Sequence, residues 1–346
     1  MDKKKIKCVV WDLDRTLWEG ILSEGDEVGL RNGILTIIKE LDRRGILQSI
    51  SSKNEYIPTM KKLKEFGIEE YFLYPQINWG PKSDSIKRIQ EALNIGIDSF
   101  AFIDDQMFEL EEVKFSCPEV ECILAERTDE LLNMEMMMPR FITDESSKRR
   151  ILYMNDKKRR ELEEVYDGPQ QEFLKTLKMK FTISLATEKD LKRLEELTIR
   201  THQLNSTGNV YSYDELRQFI HSNRYEVIVA QLDDKYGEYG KIGLLLYEKR
   251  DGQWIIKLLL MSCRVMSKGV GSILLRYIIN DAKRAGVSLI ADFTPTDKNK
   301  IMYITYKFAG FNELSNEGES IRLEADMSSL SSYPDYVEVQ EDTGER

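Results

Sequence analysis

Histidine and cysteine are scarce in this chain, and the scarcity removes whole classes of chemistry. Only His202 and His221 occur in 346 residues. They lie far apart in sequence, and core or surface packing accounts for both. The four cysteines, Cys8, Cys117, Cys122 and Cys263, are too few and too scattered for a disulfide framework. None forms a Cys-x-x-Cys pair, so no zinc site is expected. No run of about eighteen apolar residues occurs, so no helical membrane span is expected. The opening Met1-Asp2-Lys3-Lys4-Lys5 passes straight into a strand pattern, without the apolar stretch of a secretory signal. These absences read as a cytoplasmic protein with reduced thiols. Basic charge is outweighed as well. The net charge is −10 and the pI is near 5.1. That argues against nucleic-acid binding, whose affinity comes largely from phosphate neutralisation.

What is present is enough for two ordinary domains, with 41% hydrophobic residues. The first apolar run, Cys8-Val9-Val10-Trp11, ends in Asp12-Leu13-Asp14-Arg15-Thr16. A short apolar run of this kind reads as a buried parallel strand. Parallel sheets place ligand chemistry beyond the carboxyl ends of their strands. Two carboxylates spaced two apart leave such an end on one side. One can attack while the other holds or gives a proton.

Strand and helix patterns then alternate. Asn32 to Arg44 has apolar positions at helical spacing and is closed by Gly45. Ile46 to Ile50 reads as a strand running into Ser51-Ser52-Lys53-Asn54. A helix over Tyr56 to Phe66 follows, then a short strand at Tyr71 to Tyr74. Another helix opens at Lys82, and a strand over Ser99 to Ile103 ends in Asp104-Asp105. This rhythm predicts an α/β fold with a doubly wound parallel sheet. One loop and one crossover helix consume the stretch from Asp12 to Ser52, and the stretch from Ser52 to Lys82 is shorter still. Neither has room for a lid domain.

Asp12-Leu13-Asp14-Arg15-Thr16 resembles motif I of the haloacid dehalogenase (HAD) superfamily. With Cys8 before it and Leu17-Trp18 after it, the string looks like the FkbH-like branch, which makes glyceryl thioesters on acyl carrier proteins. Ser52, Lys82 and Asp104-Asp105 resemble motifs II to IV in order. The resemblance implies a HAD-like sheet without a large cap and an aspartate nucleophile, Asp12, with Asp14 serving proton transfer. It implies Mg²⁺ held by Asp12, Asp104 and the backbone carbonyl of Asp14, with Asp105 as an orienting group or further ligand. Such an ion offsets the charge of an aspartate facing a phosphate. Lys82 and the Ser52 hydroxyl would hold the phosphoryl oxygens.

The remaining chain is read as a charged helical connector, 146–178, a second domain, 179–326, and a disordered acidic tail, 327–346. Four methionines between Met134 and Met138 read as adaptable packing. In the second domain, Asp190 to His202 reads as a helix. Tyr225 to Leu232, Ile242 to Lys249 and Trp254 to Met261 read as a strand meander. Ser262-Cys263-Arg264-Val265-Met266-Ser267-Lys268-Gly269-Val270-Gly271 then leads into a helix over Ser272 to Ala285. A glycine loop before a helix N-terminus is a ready anion site. It is similar to motif A of the GNAT acyltransferases, which holds CoA. That implies a GNAT-like α/β domain, with Lys268, Gly269 and Gly271 as candidate anion or CoA contacts. Met266 stands where that motif usually has Arg or Gln, which counts against CoA. Tyr306-Lys307-Phe308-Ala309-Gly310-Phe311 is also GNAT-like. Ser262-Cys263-Arg264-Val265, Thr201-His202-Gln203-Leu204-Asn205 and Thr294-Pro295-Thr296-Asp297-Lys298-Asn299 resemble strings of the FkbH-like family. Glu19 and His202 depart from that family's pattern.

The FkbH-like resemblance implies a phosphorylated three-carbon donor like 1,3-bisphosphoglycerate and a glyceryl unit passed to an acyl carrier protein. It also implies a cysteine that carries the glyceryl group. Cys8, on the strand of Asp12, and Cys263, beside Arg264, are the candidate thiols. An acidic carrier needs a basic dock on an acidic chain. Arg149, Arg150, Lys157 and Lys158 supply the densest basic stretch; the bland reading is a solvated helix face paired to Glu161, Glu163 and Glu164. Two other readings stand beside this one: a plain Mg²⁺-dependent phosphatase with a binding module, and a CoA-dependent acyltransferase.

Overall fold

The structure, a computed structural model, describes residues 5–328 and 332–342, apart from the side chain of Ser267. The chain divides into two compact units, Met1–Lys157 and Lys158–Arg346. Among the described residues no helix is long and apolar enough to cross a membrane.

The first unit begins with strand β1, Cys8–Trp11, followed by a small hairpin of β2, Trp18–Glu19, and β3, Gly29–Leu30. Helix α1, Ile34–Arg43, buries Ile34, Ile37, Ile38 and Leu41, one stripe at helical spacing. Then come β4, Leu47–Ser52, α2, Tyr56–Glu65, and β5, Gln76–Ile77. Helix α3, Lys82–Leu93, leads to β6, Phe100–Asp104. Helix α4, Met107–Ser116, leads to β7, Glu121–Leu124. The sheet order is β5-β4-β1-β6-β7, with every pairing parallel. Alternation along β1 splits its side chains between two layers. Val9 and Trp11 pack with the buried face of α1, while Cys8 and Val10 pack with Ile86, Ile89, Leu110 and Val113 of α3 and α4. From β1 the chain winds outward to β4 and β5, and later returns to β6 and β7. The carboxyl ends of β1 and β6 therefore flank the place where the winding reverses, the crevice that binds ligands in open α/β sheets. No domain is inserted between Asp12 and Ser52 or between Ser52 and Lys82.

One expected strand is displaced. Tyr71 to Tyr74 makes only a single bridge, Phe72 to Gln48, and the strand forms at Gln76–Ile77 instead. Tyr74 takes φ of 50°, which ends the extended run just before Pro75. The methionine cluster packs as expected, with Met137 wholly buried and Met134 and Met136 against the same core.

Three helices follow: α5, Asp144–Ser147, α6, Arg149–Glu164, and α7, Gln170–Leu177. The second unit then contains β8, Met179–Leu185, α8, Leu191–Arg200, α9, Tyr213–Ile220, β9, Tyr225–Asp234, β10, Gly237–Arg250, and β11, Gln253–Met261. Helix α10, Ile273–Ala285, precedes β12, Ser288–Phe293, and α11, Lys300–Phe308, precedes β13, Phe311–Asn316. Strands β14, Ile321–Ala325, and β15, Val337–Asp342, complete it. These strands form one sheet in the order β13-β14-β12-β11-β10-β9-β8-β15. One face carries Leu191, Leu194 and Leu197 of α8 with Leu216 of α9. The other carries α10, with Ile273, Leu274 and Ile278, and α11, with Met302 and Tyr306.

Strand β15 corrects the expectation of a disordered acidic tail. It pairs in parallel with β8 from Val337↔Met179 to Asp342↔Ser184. Val337 and Val339 alternate toward the core while Glu338, Gln340, Glu341 and Asp342 face solvent. The acidic composition hides this short apolar alternation, and the ladder to β8 supplies the backbone bonds. Residues 329–331 and 343–346 of that tail lie outside the described residues.

Candidate active site

Asp12 follows the last residue of β1, Asp104 ends β6, and Lys82 is the first residue of α3. All three side chains are buried. The Lys82 ammonium donates to Oδ1 of Asp12 and to Oδ2 of Asp104, the latter at 2.7 Å. The backbone N–H of Gln106 donates to the other Asp104 oxygen at 2.8 Å and fixes its rotamer. Asp105 comes next in the chain. One carboxylate oxygen from each of Asp12, Asp104 and Asp105 lies within 4.8 Å of the others.

The electrostatics are those of crowded charge out of water. Burial pushes the Asp12 carboxyl up to about 7; Lys82 opposes the shift and the Asp104 charge adds to it. Burial works against the Lys82 ammonium, but Asp12 and Asp104 outweigh it and hold the group above its ordinary range. Asp105 is raised by burial and then by Asp104. A hard divalent cation such as Mg²⁺ prefers carboxylate oxygens. The three carboxylates fit it, and Oδ1 of Asp105 is buried with no hydrogen-bond partner among the described residues. Asp12, Asp104 and Asp105 would hold the ion, which would supply positive charge to a bound phosphoryl group.

The Asp14 side chain is not part of that group. Its Oδ1 accepts from Trp18 Nε1 at 2.7 Å and from the Leu22 backbone N–H at 3.0 Å. Its Oδ2 accepts from Asn54 Nδ2 at 2.7 Å. Asn54 also donates to Oγ of Ser52 at 3.2 Å. Ser52 is the buried last residue of β4. The loop that presents Asp14 holds Arg15 at φ of 56°, and its Leu17 N–H closes on the Leu13 carbonyl at 2.8 Å. A non-glycine residue there is uncommon and clusters at functional sites. Around these groups, Lys53 pairs with Glu109, and Ser83 donates to Glu112.

The sequence alone assigned no site role to Trp18 or Asn54. Trp18 lies four residues after Asp14, and Asn54 lies in the bend just past the end of β4.

The candidate thiols fare differently. Cys8 is wholly buried at the far end of β1, and burial drives its thiol well above the usual range. Four strand residues span about 13 Å. Sharing a strand with Asp12 therefore does not bring its sulfur to the site, which corrects its candidacy as an acyl carrier. Cys263 is half-buried at the start of a short 3₁₀ turn, Cys263–Lys268, in the second unit.

The glycine loop is built differently from an open anion cradle. Two successive 3₁₀ turns, Cys263–Lys268 and Val270–Ser272, replace it before α10. Lys268 is fully buried and pairs with Glu163 at 3.2 Å. The Tyr336 hydroxyl donates to the Gly269 carbonyl at 3.2 Å. Gly269 has φ of 66°, and a Cβ there would sit 2.2 Å from the Tyr336 oxygen. The Lys268 ammonium is thus held by Glu163 within the chain, and the Tyr336 hydroxyl covers the Gly269 position.

The parallel strands β11 and β12 pair only from Gln253↔Ser288 to Ile256↔Ala291 and diverge beyond. Ser206 bridges the divergence. Its N–H donates to the Leu259 carbonyl at 2.9 Å, and its carbonyl accepts from the Thr294 N–H at 3.1 Å. Asn299 Nδ2 holds the Asn205 carbonyl at 3.0 Å.

The basic stretch divides in the same way. Arg149 is buried and donates to the Gly45 carbonyl at 2.7 Å. Arg150 pairs with Asp42 at 3.0 Å and stacks over Tyr71. Arg159 and Asp234 form a fully buried pair at 2.7 Å. Lys157 and Lys158 are exposed.

No family model matches the chain, and no curated protein matches it. Solved structures do. The N-terminal part of a Bacteroides fragilis protein, containing a phosphatase domain complexed with Mg, is 26% identical with a TM-score of 0.32. The match covers 44% of this chain and 40% of that one, so the chain spans less than half the length of that structure. The ribosomal-protein-S18-alanine N-acetyltransferase of Escherichia coli is 17% identical with a TM-score of 0.35, over 44% of this chain and 96% of that one. PaiA N-acetyltransferase of Thermoplasma acidophilum, in complex with coenzyme A, is 17% identical with a TM-score of 0.35, over 42% and 99%. Overlays at such TM-scores assign neither family nor activity to this chain.

Proposed function

We propose that the first unit is a Mg²⁺-dependent phosphoryl hydrolase or transferase that works through Asp12. The observation that carries this is Lys82 bridging the buried carboxylates of Asp12 and Asp104, with Asp105 beside them. Asp12 is the nucleophile toward phosphorus. Lys82 and the Ser52 hydroxyl hold the phosphoryl oxygens as charge spreads over them. Asp14 exchanges protons with the leaving and attacking oxygens.

The finer reading follows the FkbH-like resemblance of the sequence. The donor is a glyceryl phosphate like 1,3-bisphosphoglycerate, and Asp12 takes its phosphomonoester phosphoryl group. The thiol of an acyl carrier protein attacks the acyl carbon, forming the C–S bond as the C–O bond to the acyl phosphate breaks and inorganic phosphate leaves with the thiol proton. The absence of an inserted cap supports a large acceptor, because an open crevice needs a partner to exclude water. With Cys8 sealed, the carrier's own thiol or Cys263 accepts the glyceryl unit. Lys157 and Lys158 remain the exposed candidates for a carrier dock; Arg149 and Arg150 are engaged within the first unit. The Lys268–Glu163 pair and Tyr336 over Gly269 weigh against a CoA-dependent acyltransferase.

The test combines the chain with Mg²⁺, 1,3-bisphosphoglycerate and a carrier protein bearing its thiol arm. Phosphate release that EDTA abolishes, together with a glyceryl-sized mass increase on the carrier, is the expected result. Phosphate release without thioester reduces the activity to a plain phosphatase. No Mg²⁺-dependent phosphate release from this donor or from simple phosphomonoesters overturns the proposal.

A further inference from the structure

We infer that Asn54 is a positioning residue that aims one oxygen of Asp14 for proton transfer, an inference that rests on the phosphoryl-transfer reading above. An ionised carboxylate offers about four lone-pair sites. Three of those on Asp14 are occupied: two on Oδ1, by Trp18 and Leu22, and one on Oδ2, by Asn54. The site left for a travelling proton is on Oδ2. Trp18 and Leu22 follow Asp14 closely in the chain, in and beside the β2-β3 hairpin. Asn54 lies two residues past β4, so it alone of the three ties Asp14 to another strand of the parallel sheet.

Asn54 is only 2% exposed, and its amide orientation is dictated by its partner. A carboxylate only accepts, so the NH₂ group must face Asp14. The same NH₂ reaches Ser52. One side chain therefore sets the distance between the proton-transfer group and a phosphoryl-holding hydroxyl. In the second half of the reaction an attacking O–H gives its proton to Oδ2 of Asp14 while its oxygen bonds to phosphorus. The bond from phosphorus to Asp12 breaks, and the Asp12 carboxylate is restored. Atoms and charge balance without a further reagent. Without Asn54 the Oδ2 lone pair is free to turn away from that line.

The experiment compares wild type, Asn54→Ala and the near-isosteric Asn54→Asp as full-length protein with Mg²⁺ and p-nitrophenyl phosphate. Asn54→Ala is expected to lower kcat on the order of 10–100-fold, with KM, Mg²⁺ affinity and Tm nearly unchanged. Phosphoenzyme on Asp12 should accumulate. Asn54→Asp keeps the shape, sets a carboxylate against Asp14, and should lose at least as much. A wild-type kcat in Asn54→Ala overturns the inference. So does a fall matched by equal losses of Mg²⁺ affinity and Tm, since that marks a structural role. If wild type itself releases no phosphate, the phosphoryl-transfer reading fails, and a crystal structure of Asn54→Ala decides the positioning claim alone. An Asp14 carboxylate rotated from its present orientation supports it, and an unmoved one overturns it.

Discussion

The ammonium of Lys82 lies 2.7 Å from Oδ2 of Asp104, and neither side chain is more than 4% exposed. With Asp12 on its other side, Lys82 is the shared counter-charge of two buried carboxylates. Removing one partner of a buried ion pair leaves uncompensated charge, at a cost of about 3–5 kcal/mol. Lys82→Met should lose stability of that order in urea denaturation. Added Mg²⁺ should restore part of it, because an ion bound only by the folded chain stabilises that state. Equal losses with and without Mg²⁺ would place the cation elsewhere.

Asp12→Asn should abolish phosphate release, on the order of 10³-fold or more, because the nucleophile is gone. The amide is nearly isosteric, and one of two crowded negative charges disappears, so melting temperature should not fall. Asp104→Ala should instead weaken Mg²⁺ binding, read by calorimetry, through loss of a hard oxygen ligand. Unchanged Mg²⁺ affinity in that variant would count against the three-carboxylate centre.

Cys8 should resist thiol reagents in the native protein and react only after denaturation. Cys8→Ala should leave phosphate release and carrier acylation intact, while costing on the order of 1 kcal/mol as a lost core contact. Loss of acylation alone in this variant would restore Cys8 as an acyl carrier.

Arg159 and Asp234 are both fully buried, with a second bond from Arg159 to the Gly237 carbonyl and its guanidinium 3.9 Å from the Tyr239 ring centre. Arg159→Met should destabilise the second unit by about 3–5 kcal/mol, and adding Asp234→Asn should recover part of it. Additive losses in a double-mutant cycle would show that the two groups are energetically independent.

The first sheet was legible because its signals are local: apolar runs of strand length, helical stripes such as Ile34 to Leu41, and polar residues at strand ends. The placement of Lys82 between Asp12 and Asp104 follows from that topology once the winding order is known. Asn54 was less legible because its role depends on a loop closing back across β4, a contact that spacing alone does not specify. β15 was missed because two valines among acids carry a weak pattern, and its partner strand is far away in sequence. The fate of Cys8 turned on distance along the strand: a shared face still leaves it four residues from Asp12, buried in a layer of apolar side chains. The basic stretch misled in the same manner, because charge in a sequence does not say which arginines find a carboxylate or carbonyl.

The pairing of β15 with β8 has a consequence for how the chain is made. Nearly all of the second unit lies between those two strands. As the protein leaves the ribosome, β7 completes the first sheet while the second is still unsynthesised. Strand β8 emerges early, pairs with β9 on one side, and keeps a bare edge on the other until β15 arrives. Unpaired edges of this kind recruit foreign strands, and long-range closure is slow. A ribosome stalled before Val337 would therefore display an adhesive nascent chain, and the interval before β15 emerges is when a chaperone has the most to shield.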